Sequence, residues 1–189
     1  MEEPVGASPT TNMKFRHIYD EYFEAVTRYC LRRLPVADVN DATAEVFLVA
    51  WKKIDHVPSG PEALPWLYGV ARNVVRNAAR STRRSGRLTG RLRGLAPPPP
   101  PDPSAVIVRR REDEELFSAM AQLSEDDQEV LRLRAYEGLT APEIGAVLDI
   151  SAEAAKKRVT RALTRLRKAA MPQPKVSPHP RAIPEGGER

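Results

Sequence analysis

The segment PWLYGVARNVVRNAARSTRR, residues 65–84, sets Trp66 and Tyr68 ahead of Arg72, Asn73, Arg76, Asn77 and Arg80, and it contains no carboxylate. Guanidinium groups neutralise phosphates, carboxamides hydrogen-bond base edges, and aromatic rings stack on unpaired bases. Together these groups can hold a single nucleic-acid strand with its bases turned outward. The same helical spacing gives Trp66, Leu67, Val70 and Val74 to a core face, so Trp66 has two available roles. Asn73 can likewise bond to nearby backbone instead of a base.

A second set of basic residues lies near the C-terminus. Lys156, Lys157, Arg158, Thr160, Arg161 and Arg165 occupy the outer sides of a helix opened by Ser151, whose type suits an N-cap. Ala155, Val159, Ala162 and Leu166 fall on its other side, where they can pack against Ile144 and Leu148. A short helix from Thr140, a turn at Asp149 and Ile150, and this longer basic helix make a helix-turn-helix pattern. Lysine and arginine near the start of such a helix can reach guanine edges or phosphates in a major groove. A solvated charged face is the plainer alternative, and this unit alone does not separate a repressor, an activator and an initiation factor.

The third set has the opposite sign. Asp41 and Glu45 stand one helical turn apart beside Leu48 and Val49. A partner protein with basic side chains would explain an acidic face so close in sequence to the arginine helix; a solvated face is the alternative.

Helical elements must position all three sets. Phe15, Ile18, Tyr19, Tyr22, Phe23, Val26, Tyr29 and Cys30 recur at steps of three and four, which predicts a helix over 13–34. A second helix fits 39–54 with Asp38 as its N-cap, and the arginine helix follows. Five consecutive prolines at 97–101 break the pattern and predict a semi-rigid spacer holding two units apart. Beyond it, Ser124 caps a helix that Gly138 closes, and Thr140 with Glu143 has capping-box spacing. The expected fold is all-α: two small helical domains, 13–90 and 109–170, joined by a proline-rich linker at 91–108. The C-terminal domain is the helix-turn-helix, and residues 1–12 and 171–189 are expected to be disordered.

Charge and composition narrow the function. The chain has 189 residues and a formal net charge of +5. No acidic residue lies between Glu62 and Asp102, and a second basic run covers Lys156 to Lys168. Two positive zones divided by acidic ones suggest two contacts with a polyanion. The single cysteine, Cys30, excludes an intrachain disulfide framework. The acidic N-terminus lacks the apolar core of a signal peptide, and no apolar run reaches the ~20 residues of a membrane span. A cytoplasmic protein without membrane insertion is expected.

Four segments in order carry a resemblance: FRHIYDEYFEAVTRYCLRRL, DATAEVFLVAWKKID, PWLYGVARNVVRNAARSTRR and LSEDDQEVLRLRAYEGLTAPEIGAVLDISAEAAKKRVTRALTRLRK. In them the chain resembles the extracytoplasmic-function (ECF) sigma factors, small two-domain transcription initiation factors of the sigma-70 family. The resemblance implies that 13–90 is region 2 and 109–170 region 4. It implies that Asp41, Glu45 and Phe47, with neighbouring Leu48, meet the clamp helices of RNA polymerase core. Asn73 would line the pocket for a flipped-out base of the melted −10 element, with Arg72, Arg76 and Arg80 along the strand. Lys156, Lys157, Arg158, Thr160 and Arg161 would contact the duplex −35 element, with Ser151 and Arg165 on the same helix. Many relatives are restrained by an anti-sigma factor, which adds such a partner to the expectations. Two departures are visible: Ala42-Thr43-Ala44-Glu45 stands where the family often has Leu-x-Gln-Glu, and Lys157 stands where a small or polar residue is common.

An enzyme is not expected. His17, His56 and His179 are scattered, no phosphate-cradling glycine loop appears, and no pocket accompanies Asp41 and Glu45. No metal or other cofactor is expected. A stand-alone regulator binding duplex operators would account for 125–170, but not for the aromatic, asparagine and arginine helix or for the acidic face beside it.

Overall fold

Local sequence chemistry sets where each helix begins and ends. The computed structural model describes residues 8–88, 114 and 116–171. Helix α1, Pro9–Leu31, starts where the Ser8 hydroxyl accepts from the Thr11 amide at 3.3 Å and proline occupies the first turn. It therefore begins within the segment expected to be disordered. Residues 9–12 carry no apolar stripe, so a cap and a proline were the only signals there. Helix α2, Val36–Lys52, begins after Pro35 rather than at Asp38, which lies in its first turn. There its negative charge complements the helix dipole without a capping bond.

Two 3-10 turns, Ile54–His56 and Gly60–Glu62, lead into α3, Ala63–Leu88. The first of them is tied back to α1: the Lys14 ammonium donates to the carbonyls of Ile54 and Val57, both at 2.9 Å. Val26, Tyr29, Val46, Ala50, Leu67 and Ala71 fill the space between α1, α2 and α3. Each fully buried aliphatic side chain of this kind contributes roughly 1.5–3 kcal/mol.

The second domain contains a short helix at 116–121, labelled α4, followed by α5, Glu125–Ala135, α6, Ala141–Leu148, and α7, Ala152–Ala170. Three expected caps are present. The Ser124 hydroxyl accepts from the Asp127 amide, Thr140 and Glu143 form a reciprocal capping box, and the Ser151 hydroxyl accepts from the Ala154 amide. Gly138, at φ +68°, provides the left-handed turn after α5. At Gly145 a Cβ would come within 2.7 Å of the Ile150 carbonyl, so only glycine lets the turn fold back onto α6. Val130, Leu133, Ile144, Ala155 and Ala162 make the trihelical core.

All regular structure among the described residues is helical. The proline run and the rest of the linker at 91–108 lie outside the described residues, as do 1–7 and 172–189. The expectation of two separated units is corrected: α3 packs against α6, and the buried residues of both domains form one continuous cluster. Gly69 of α3 faces the backbone of Val147 of α6, whose carbonyl oxygen would lie 3.7 Å from a Cβ at that position, an ordinary van der Waals contact. Beside this apolar contact runs a charged seam, Arg32 and Arg33 of the first domain against Glu129 and Glu137 of the second.

Candidate nucleic-acid and protein interfaces

The face of α2 carries the first candidate site. Asp41 and Glu45 are exposed one turn apart, and Leu48 beside them is 50% exposed. Phe47 is different: at 3% exposure it packs against Tyr19 and Phe23, with ring centroids 4.8 and 6.0 Å away. It is a core side chain beneath the face rather than a contact on it, which corrects its place among the expected contact residues. The exposed rims of Tyr19 and Phe23 extend the apolar surface instead. Neither aromatic was singled out for this face, because their spacing on α1 reads as core.

On α3 the expected strand-holding residues divide. Asn73, Arg76, Asn77 and Arg80 are exposed and follow one another along the helix. Trp66 is partly buried and packs on the core cluster. Tyr68 is only 4% exposed and stacks on Tyr29, with centroids 5.1 Å apart and planes at 26°. Burial, then the nearby Glu137 carboxylate, pushes the Tyr68 hydroxyl up to about 12, with Arg32, Arg28 and Arg33 acting in the opposite direction. In this arrangement Tyr68 is not a stacking platform for a base. Arg72 is also drawn away from solvent, with its guanidinium 3.8 Å from Asp126 of the second domain.

Helix α7 presents Lys156, Lys157, Thr160 and Arg161 outward, with Arg158 half-buried. A cleft of about 260 Å³ lies among Asp127, Ala154, Lys157, Arg158, Arg161 and Arg165. The buried Asp127 carboxylate accepts from Arg165, so Arg165 braces α7 against α5. Lys157 pairs with Glu153 one turn earlier at 3.5 Å. Thr160 donates its hydroxyl proton to the Lys156 carbonyl at 3.1 Å, leaving oxygen lone pairs to accept from a ligand. Ser151, exposed at the head of the helix, is engaged as its cap. The arrangement offers positive charge and donors along one exposed side, which suits phosphates and guanine edges.

The described residues contain no group of histidine, cysteine or acidic side chains able to hold a metal ion. No described helix is long and apolar enough to cross a membrane.

The seam between the domains was not anticipated. The Arg33 Nε donates to Glu129 at 2.9 Å and one of its terminal nitrogens to Glu137 at 2.9 Å, while Arg32 reaches Glu137 at 2.8 Å. The Tyr29 hydroxyl donates to Glu129 at 2.7 Å, and the Arg33 guanidinium lies over the Tyr29 ring at 3.5 Å. Sequence alone gave no signal for this pairing, because its partners lie about a hundred residues apart and each charge reads as solvated.

Known proteins match the same two domains. Residues 18–85 match the Sigma-70 region 2 family and residues 119–168 match Sigma-70, region 4. The ECF RNA polymerase sigma factor SigL of Mycobacterium tuberculosis is 30% identical over 166 residues, covering 86% of this chain and 92% of that protein. Among solved structures, the sigma factor RpoE in complex with the anti-sigma factor NepR from Bartonella quintana aligns with a TM-score of 0.59 at 20% identity, over 82% of this chain and 95% of that one. CnrH in complex with the cytosolic domain of CnrY aligns at 0.56 and 24% identity, over 82% and 85%. The structural likenesses support the all-α fold, while the family matches and the SigL relative decide the assignment: the chain belongs to the ECF sigma factors of the sigma-70 family.

Proposed function

We propose that this sigma factor binds RNA polymerase core through the Asp41, Glu45 and Leu48 face of α2 and brings it to promoters from two directions. Helix α7 docks on duplex DNA at the −35 element through Lys156, Lys157, Arg158, Thr160 and Arg161. Helix α3 holds the melted −10 strand, with Asn73 taking an unstacked base and Arg76, Asn77 and Arg80 following the backbone. The mechanism is non-covalent: capture of the open strand stabilises a state that duplex DNA reaches rarely. Its setting is the cytoplasm, where core enzyme and chromosome meet. An anti-sigma factor that covers the α2 and α3 faces is part of the same proposal.

One observation carries this reading over that of a stand-alone operator binder. A single domain exposes an acidic face with an apolar rim on α2 and an asparagine and arginine face on α3. A duplex-binding helix-turn-helix needs neither. Gel filtration with purified bacterial core polymerase tests it, with Asp41→Arg/Glu45→Arg alongside. Co-elution of the natural chain and its loss in the variant are expected. Absence of co-elution at micromolar concentration and low salt would favour the operator binder.

A further inference from the structure

We propose that Asp127 of α5 is a positioning residue that fixes the Arg165 guanidinium as one wall of a cleft beside α7, and that this cleft seats a backbone phosphate of duplex DNA. The proposal rests on the reading of α7 as the duplex-binding helix, and adds to it a group on another helix that acts through Arg165.

The cleft, about 260 Å³, lies between the first turn of α5 and the side of α7. Lys157, Arg158, Arg161 and Arg165 line it at steps of one, three and four along α7, and Ala154 adds little bulk to it. Four cations stand there against one carboxylate, that of Asp127, a formal excess of three positive charges. A second cleft of about 420 Å³ lies among Gln122, Leu123, Ser124, Lys168 and Ala169. Asp127 and Arg165 line both, so their ion pair is the partition between them.

The two partners differ in exposure: the Asp127 side chain is 7% exposed and that of Arg165 61%. Asp127 stands in the first turn of α5, where the helix dipole suits a carboxylate with or without an arginine nearby. The Ser124 hydroxyl accepts from the Asp127 amide at 3.2 Å, which fixes the backbone that carries the carboxylate. The dipole thus accounts for the aspartate but not for the arginine held against it. Arg165 gives Asp127 one terminal nitrogen, Nη1, which leaves Nε and Nη2 as donors. Guanidinium donors in a fixed fork suit phosphate oxygens. An arginine free in solvent must be ordered when it binds, whereas one already held by a buried carboxylate is ordered beforehand.

The test is a double-mutant cycle on the full chain: Asp127→Ala, Arg165→Ala and both together, with Lys156→Ala as a reference on the same helix outside the cleft. Fluorescence anisotropy with a labelled duplex of mixed sequence reads affinity over a series of salt concentrations, and far-UV circular dichroism reads helix content. Arg165→Ala is expected to lower the slope of log affinity against log salt by about 1, the effect of one lost phosphate contact. A brace that touches no phosphate would leave that slope unchanged. Asp127→Ala is expected to bind the duplex about threefold more weakly, because it releases one ordered side chain. The sign discriminates, since removing a negative charge beside DNA strengthens binding by charge alone. Without Arg165 that simple effect should return, so adding Asp127→Ala to Arg165→Ala is expected to tighten binding. If either alanine variant loses helix content, Asp127→Asn and Arg165→Gln take their places with the same signs. Tighter binding by the Asp127 variant alone, or additive effects of the two substitutions, overturns the positioning role. A slope lowered by Lys156→Ala but not by the Arg165 variant overturns the phosphate seat. Slopes unchanged in both overturn the reading of α7 and this proposal with it.

Discussion

Tyr68 of α3 stacks on Tyr29 of α1, with ring centroids 5.1 Å apart, and the Tyr29 hydroxyl is in turn held by Glu129 of the other domain. A ring that the sequence places beside a nucleic-acid face is thus part of a junction between domains. Desolvation is the first cause that raises both hydroxyls above the ordinary tyrosine value, Tyr68 to about 12 and Tyr29 further still. A raised folded value means that stability is fully present below the unfolded value near 10 and is lost as pH rises toward the folded one. Spectrophotometric titration should show Tyr29 and Tyr68 ionising only well above the ordinary tyrosine value, as the structure opens. Ionisation of Tyr29 and Tyr68 near the ordinary value, with the fold intact, would contradict the buried stack.

Lys14 should matter although it lies far in sequence from the loop it holds. Its ammonium satisfies two carbonyls at once, so Lys14→Met is expected to lower stability by about 1–3 kcal/mol in urea unfolding. A change within about 0.5 kcal/mol would place Lys14 on an ordinary solvated surface.

The Thr140–Glu143 capping box gives an acid-side prediction. Hydrogen bonds from the Thr140 hydroxyl and then from its amide hold the Glu143 carboxyl below the usual glutamate range. A depressed folded value means that the contribution is present above the unfolded value, near 4.3, and fades as pH falls through the folded one. Glu143→Ala is expected to cost about 1 kcal/mol at neutral pH, measured by chemical denaturation, with the gap to the natural chain closing under acid. A gap that does not depend on pH would mean that the carboxylate charge contributes nothing.

Helix α7 should lose phosphate contacts without losing its fold. Lys156→Ala and Arg161→Ala, both at exposed positions, are expected to weaken duplex promoter binding and to reduce the slope of log affinity against log salt by about 1 each. Arg165→Ala should lower the stability of the second domain as well, because its partner Asp127 is buried. Unchanged salt slopes would move the DNA surface away from this helix.

The short-range features of this chain were legible in the sequence because their causes are local. Ser124, Thr140 with Glu143, and Ser151 announce their helices within three residues, and the helix-turn-helix follows from them. The start of α1 was hidden because residues 9–12 carry no apolar periodicity. Phe47 and Tyr68 were misplaced because a one-dimensional pattern counts positions around a single helix, whereas their burial depends on Tyr19 and Phe23 in one case and Tyr29 in the other. The Arg33 seam lay beyond reach for the same reason, since its acceptors stand 96 and 104 residues away. The exposed Asp41, Glu45, Asn73, Arg76, Asn77 and Arg80 were legible because charge and amide residues on an amphipathic helix have few places to go but outward.

The central claim is tested most directly by transcription from a pool of genomic fragments with purified core polymerase, read as mapped RNA 5′ ends with permanganate footprinting of the same templates. The natural chain should yield discrete start sites preceded by a reactive melted segment about ten base pairs upstream. Asn73→Ala should retain core co-elution while losing most of that reactivity. Start sites no different from those of core alone, or full melting with Asn73→Ala, would contradict the account.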